Sequence, residues 1–310
     1  MVSSSPLRSD DIRSTLATRR LGQHLHIHQS LTSTNSEAMT LAQNGAEDGT
    51  VVAAESQSAG RGRHARTWFS PPGLNLYCSI IVRGLGQGLS LADWLSWVPL
   101  TTALAVAEAV QTVAATSLAL KWPNDLLLDE RKIGGILCES SLTTPSNPTV
   151  VIGIGLNVNV PRELFPDELR PIATSLFESS HRLVDRNRLL AQLLLDVEQS
   201  LDELRDHGPS RLQQAYQRRC STLGRQVRVI LGADEELLGT AVAITADGTL
   251  QVRPSTGAPG TDKAPLIDVR AGDRPAGRDR PEGRADRCGH AGAARRPAEA
   301  RLVAPGPGAL

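Results

Sequence analysis

Lys121-Trp122-Pro123-Asn124-Asp125 is followed, seven residues later, by Lys132-Ile133-Gly134-Gly135-Ile136-Leu137, so that two lysines, an amide and a carboxylate sit in otherwise apolar sequence. Charges in such surroundings need partners. A phosphate or carboxylate bound between the ammonium groups would supply them, which points to an enzyme that handles an anion. A second basic segment, Gly60-Arg61-Gly62-Arg63-His64-Ala65-Arg66-Thr67-Trp68, joins glycines that let backbone approach a ligand to guanidinium groups suited to phosphate or carboxylate oxygens. Trp68 adds a surface on which a base can stack. The segment is neither a P-loop nor a dinucleotide fingerprint, and alone it reads equally as a substrate lid, a solvated linker or a nucleic-acid contact. A third segment runs from Gly153 to Asn159, with Asn157 and Asn159 on one face of an apolar strand. Those amides either make structural hydrogen bonds or meet a ligand admitted by the glycines.

The elements that must carry these segments follow from periodicity. Leu25 and Ile27 alternate with His24, His26 and His28, a first strand whose histidines form a solvated face or a metal site. Thr34-Asn35-Ser36-Glu37 reads as a capping box opening a helix that ends near Gly45. Val51 to Ala54 and Leu74 to Val82 are strands around the basic loop of residues 55–72. Ser90 to about Val113 is helical, with Pro99 expected to kink or split it. Strands at Leu118 to Leu120, Leu126 to Leu128, Ile133 to Glu139 and Val150 to Val160 would hold a site at their connections. Asp185 to His207 is an amphipathic helix closed by Gly208, and a shorter helix spans Leu212 to Arg219. Val227 to Leu231, Leu237 to Ile244 and Thr249 to Val252, with Asp247-Gly248 as a turn, read as a small β-barrel module.

At 310 residues and 40% hydrophobic content the chain can form one large domain and a smaller one. Its 33 basic and 33 acidic residues balance, and aromatics are only 3%, which argues against a nucleic-acid module and against membrane attraction. No run of roughly 18 apolar residues and no secretion signal is evident, so a cytoplasmic protein is expected. Cys78, Cys138, Cys220 and Cys288 have no zinc-ligand spacing and are expected to be reduced, with no protein-held metal. Residues 1–20 are polar and expected to be flexible. Beyond Pro265 composition shifts to Arg, Gly, Pro and Ala, with Leu266, Ile267 and Val269 the last strand residues and a tail expected to be disordered. After Asp273 the sequence reads as though another reading frame were translated.

Four ordered blocks, Ser33-Thr34-Asn35, Glu55 to Trp68, Lys121 to Leu137 and Gly153 to Asn159, resemble the biotin protein ligases over about residues 25–255. The resemblance implies an α/β (α+β) catalytic domain akin to class II aminoacyl-tRNA synthetases, with a mixed β-sheet and helices on one side. It also implies a small C-terminal SH3-like β-barrel. The domains expected are 1–20 flexible, 21–220 catalytic, 221–270 SH3-like, and 271–310 an atypical tail.

What the resemblance implies chemically is activation of biotin by ATP with Mg2+ and transfer to a lysine of a biotin carboxyl carrier domain. Ser33, Thr34, Asn35, Gln57, Gly60, Arg61, Gly62, Arg63, Lys132, Gly135, Gly153 and Gly155 match the biotin side. Arg63, Arg66, Trp68, Lys121, Asn124 and Asn157 match the ATP side, and Lys132, Arg63 and Asp125 the catalytic positions. Mg2+ comes with ATP. Only about thirty residues precede the first block, whereas a winged helix-turn-helix needs about twice that, so a monofunctional ligase without DNA binding is expected. A homodimer is left open. Ala65 departs from the glycine common in the family, and a side chain there disfavours positive φ. A lipoate or octanoyl ligase shares the chemistry, but the Gly-Arg-Gly-Arg block argues against it.

Overall fold

The computed structural model describes residues 4–84, 91–141, 148–230, 236–255, 265–271 and 299–303. Cys288 and most of the expected tail, 272–298 and 304–310, lie outside the described residues. The chain begins with α1 (Ser9–Thr15), β1 (Leu25–His28), α2 (Thr34–Gln43) and β2 (Val51–Ala54). Next come β3 (Leu76–Val82), α3 (Leu91–Ala114), β4 (Ala119–Lys121), β5 (Asp125–Leu128), β6 (Arg131–Ser141) and β7 (Thr149–Leu156). Helices α4 (Leu176–Ser180), α5 (Arg186–His207) and α6 (Ser210–Arg219) precede β8 (Gln226–Ile230), β9 (Glu236–Ile244), β10 (Leu250–Pro254), β11 (Ile267–Ala271) and β12 (Glu299–Val303).

The first seven strands form one mixed sheet in the order β1-β2-β3-β7-β6-β5-β4, in which β1 and β2 run parallel and the other pairs antiparallel. Its central strands are apolar on the face covered by α3 and α5 and, around Val52, Ile81 and Val151, on the part of the other face that α2 covers. Val51, Ile80 and Ile152 face a core shared with Trp97 and Val98 of α3 and Leu193 and Leu194 of α5. Asp185 caps α5 by accepting from the Asn187 and Arg188 amides, and Gly208 at φ 72° ends it.

Three expectations are corrected here. Pro99 does not split α3, because Trp97, Val98 and Leu100 around it are at most 1% exposed and their packing offsets the missing hydrogen bond. By length and composition α3 is also long and apolar enough to cross a membrane, a stretch the sequence reading did not find; it serves as a core helix instead. Helices occupy both faces of the sheet, not one, since Ala38 and Ala42 of α2 pack on Val52, Ile81 and Val151. That second face is only partly covered, and the remainder carries the site.

The N-terminus is not flexible from residue 4 onward. Ile12 is fully buried, Leu7 donates its amide to Glu55 Oε1, and the Arg186 guanidinium, fully buried, pairs with Glu55 Oε2 at 2.7 Å while donating to the Ser5 carbonyl. Glu198 accepts three backbone N–H bonds, from Arg19, Arg20 and Leu21, each at 2.8 Å. The polar composition misled because the segment is held mainly through its backbone rather than its side chains.

Strands β8 to β12 close a barrel in the order β10-β11-β12-β8-β9. The tail is therefore not wholly disordered: β12 pairs parallel to β11 and antiparallel to β8, satisfying two edges that would otherwise be open. The β9–β10 turn, with Gly248 at φ 78°, wedges against α3, where a Cβ on Gly248 would lie 3.2 Å from Ser96 Cβ. Trp97 Nε1 donates to the Ala246 carbonyl at 2.8 Å and Trp122 Nε1 to the Gly248 carbonyl at 3.3 Å.

Burial would push the Glu198 carboxyl up, but the three N–H donors and Arg20 outweigh it and hold the group below its usual range. Glu198→Gln is expected to lower stability by about 1–3 kcal/mol at neutral pH. Because the folded-state pKa is depressed, the difference from the parent is fully present above the unfolded carboxyl value of about 4.3 and shrinks as pH falls through the folded one. Urea unfolding of both proteins at pH 7 and pH 3.5 measures it.

Candidate active site

The open part of the sheet face is floored by glycine. Gly155 of β7 pairs with Gly135 of β6, and Gly153 with Leu137. The two-residue period of a strand sets Gly135, Leu137 and Glu139 on the face away from α3 and α5. Side chains at the β7 glycines would collide with the site: a Cβ on Gly153 would lie 2.0 Å from Asn35 Oδ1, and one on Gly155 2.8 Å from Trp68 Cε2.

A cavity of about 300 Å³ opens over this floor. Ser33, Thr34, Asn35, Gln57, Arg61, Gly62, Arg63, Arg66, Trp68, Lys121, Asn124, Asp125, Lys132, Gly135, Gly153, Gly155 and Asn157 all line it. Gly60 is the one expected residue outside the lining; its carbonyl accepts the Trp68 amide at 2.8 Å and closes the base of the arginine loop.

Lys132 reaches the cavity because of a register shift. Between Leu126 and Leu127 the β5–β6 pairing slips, so Gly134 and Ile133 both turn toward the core and Lys132 returns to the side of Gly135. Its Nζ then lies 2.5 Å from Asp125 Oδ1 and 5.3 Å from the centroid of the Trp68 ring. The Lys132 amide donates to the Ile172 carbonyl at 2.8 Å and its carbonyl accepts from Thr174 at 2.9 Å, which brings residues 172–174 to the cavity wall.

On the opposite wall the capping box expected at Thr34 does not form. Ser33 is the N-cap residue and makes no side-chain cap bond, while Thr34 donates its amide to Gln57 Oε1 at 2.9 Å. The Ser79 hydroxyl lies 2.9 Å from Thr34 Oγ1 and 2.6 Å from Asn35 Oδ1. These residues are turned toward the sheet, where buried polar groups find partners, instead of toward the helix end.

The arginine loop folds over the cavity, with Gly62 donating to the Arg66 carbonyl at 2.7 Å. Both His64 and Ala65 adopt positive φ, 55° and 57°. Ala65 thus takes the conformation its side chain disfavours, a strain the loop's two cross-bonds sustain. Arg61 pairs with Glu139, and Arg63 lies 3.4 Å from Asn124 Oδ1. With Lys132 and Arg61 already paired, Arg66 and Lys121 make no ion pair among the described residues. The site can therefore receive an anion with several negative charges.

Asn157 is at the cavity edge but is already satisfied, donating to the Thr174 carbonyl at 3.0 Å and accepting from Asn75. Asn159 bonds Val184 on both its amide atoms. Desolvation pushes the thiols of Cys78 and Cys138 up to about 12, so neither is a nucleophile at neutral pH. Sequence reasoning missed Glu139, which strand period two from Gly135 reveals, and Phe165, Leu169 and Ile172, which line the cavity from an irregular segment with no motif.

A glycine-floored cavity on a mixed sheet, lidded by an arginine loop and followed by a small barrel, describes an α/β protein whose site is suited to anionic substrates. Residues 27–159 match the Biotin/lipoate A/B protein ligase family, and residues 222–273 match the Biotin protein ligase C terminal domain. The Bifunctional ligase/repressor BirA of Bacillus subtilis is 34% identical over 81% of this chain and 76% of its own length. The Biotin--[acetyl-CoA-carboxylase] ligase of Mycobacterium tuberculosis is 37% identical over 70% of this chain and 79% of its own. A biotin protein ligase from Aquifex aeolicus, solved in complex with biotin and ATP, superposes with a TM-score of 0.67 at 25% identity, over 81% of this chain and 97% of that one. The chain belongs to the biotin protein ligase family.

Two variants probe the geometry. Gly153→Ala is expected to displace Asn35 from Ser79 and destabilise the fold by about 1–3 kcal/mol, read by urea unfolding. Ala65→Gly is expected to relieve about 1 kcal/mol of backbone strain, slowing hydrogen exchange at the Gly62 and Trp68 amides by roughly fivefold.

Proposed function

We propose that this chain is an ATP-dependent biotin protein ligase that forms biotinyl-5′-AMP and passes the biotinyl group to a lysine of a biotin carboxyl carrier domain. The observation that carries the reading is the convergence of Lys132 and the arginine loop, from separate segments, on one glycine-floored cavity. In the first step a biotin carboxylate oxygen attacks the α-phosphorus of ATP, which brings its Mg2+, and pyrophosphate leaves. The carrier lysine then attacks the anhydride carbonyl, forming the amide and releasing AMP.

An anionic nucleophile approaching a triphosphate is repelled until fixed positive charge offsets both. Lys132 and Arg63 take that role, and Asp125 holds the Lys132 ammonium in place at 2.5 Å. Asp125 is also placed to orient the incoming carrier lysine. Ser33, Thr34, Asn35 and Gln57, with Arg61, Gly62, Gly135, Gly153 and Gly155, form the biotin side, and Gly60 serves it indirectly by closing the base of the loop. Arg63, Arg66, Trp68, Lys121, Asn124 and Asn157 form the ATP side. A closed loop keeps water from the anhydride until the acceptor docks.

Within the same proposal the protein works in the cytoplasm, has a catalytic unit that includes the packed residues 4–20 and runs to about 220, has a barrel unit from 221 that β12 completes, and has no DNA-binding role in these 310 residues. Residues 4–20 support the last point, since they form one short helix and turns packed on α5 rather than a recognition module.

Biotin-dependent exchange of pyrophosphate into ATP, and biotin transfer to a carrier domain, test both steps, with lipoate and octanoate as control acids. Lys132→Ala is expected to lose at least about 100-fold in exchange while keeping its urea midpoint, because the lysine stabilises charge rather than the core. Absence of exchange in the parent protein refutes the reading.

A further inference from the structure

Glu139 lies on β6 four residues beyond Gly135, on the cavity face, and the sequence motifs do not mark it. Its carboxylate takes the Arg61 guanidinium in a two-pronged pair, 3.0 Å to Oε1 and 2.6 Å to Oε2. The same Oε2 accepts the Asn35 side-chain amide at 2.8 Å, and Asn35 in turn holds Ser79 of β3 at 2.6 Å. One carboxylate thereby ties the loop, the start of α2 and the sheet together. Arg63, also in the loop, lies 3.4 Å from Asn124 Oδ1.

We propose that Glu139 is a positioning residue, a clamp that holds the arginine loop closed over the cavity through Arg61 and fixes the Asn35 amide on the biotin wall. Both oxygens of Glu139 are engaged by Arg61, which directs the guanidinium at β6, so its part is to anchor the lid. A two-pronged guanidinium–carboxylate pair fixes direction as well as distance, which suits a lid that must close in one register. The effect on catalysis rests on the ligase reading; the clamp itself does not and is tested without ligand.

Ligand-free protein is digested briefly with trypsin and cleavage after Arg63 and Arg66 is followed by mass spectrometry. Glu139→Gln, which keeps an acceptor for Asn35 but loses the charge, is expected to speed these cuts roughly tenfold, since cleavage follows the open population. Arg61→Ala is expected to do the same, and the double variant no more than either alone. In a second arm, labelled biotinyl-AMP formed on the protein is chased with unlabelled biotin, and its release is expected to quicken by a similar factor in Glu139→Gln. Unchanged loop cleavage in both single variants, or additive effects in the double, overturns the clamp. Equal acceleration at sites in α5 and the barrel also overturns it, because Glu139 would then merely support the fold. If the parent protein forms no adenylate, the ligase reading falls while the ligand-free digestion still decides the clamp.

Discussion

A one-residue slip in strand pairing decides where the central positive charge of the site points. Without the bulge opposite Leu126 and Leu127, strict alternation would send Lys132 to the core side with Gly134. There its ammonium would point into the apolar core that Ile133 enters, surroundings that strongly disfavour a charge. With the bulge, it shares a face with Asp125 and the glycine floor, and the backbone at Lys132 remains free to pair with residues 172–174. The cavity wall and the charge inside it are thus fixed by the same local irregularity.

A pocket with this many cations needs internal compensation before a ligand arrives. Asp125 and Glu139 provide it at opposite ends, one beside Lys132 and the other beside Arg61. Both pairs are only partly exposed, so each is screened less than a surface pair and constrains its long cationic side chain. The glycines serve the same end by a different means: they leave room on the floor, and Asn35 and Trp68 occupy the space that side chains there would have taken.

Much of this was readable from residue patterns. The heptad-like spacing from Leu190 to Leu204 specified α5, and the apolar runs Val51 to Ala54 and Val150 to Leu156 specified buried strands, because burial dictates side-chain type directly. The convergence of the loop and Lys132 was expected through the family resemblance, since the loop's own chemistry read equally as lid, linker or nucleic-acid contact. What escaped notice depends on distant pairing: Arg186 meets Glu55 across 131 positions, and neither residue has a local signature of it. Thr34 looked like a cap because its neighbours fit the pattern, yet Gln57 and Ser79 offered its polar groups better-placed partners. Phe165, Leu169 and Ile172 lie outside any regular helix or strand, and the backbone pairing of Ile172 and Thr174 with Lys132, which fixes this segment against the site, has no local signature.

The placement of the four tryptophans has a spectroscopic consequence. Trp68 sits in the lid beneath an ammonium group, while the indoles of Trp97 and Trp122 each donate to a carbonyl in the barrel's hairpin turn. Intrinsic fluorescence of the unlabelled protein therefore samples two places at once, the lid and the seam between sheet and barrel. Replacing Trp68 with phenylalanine would remove the lid's contribution and leave an optical signal weighted toward the seam.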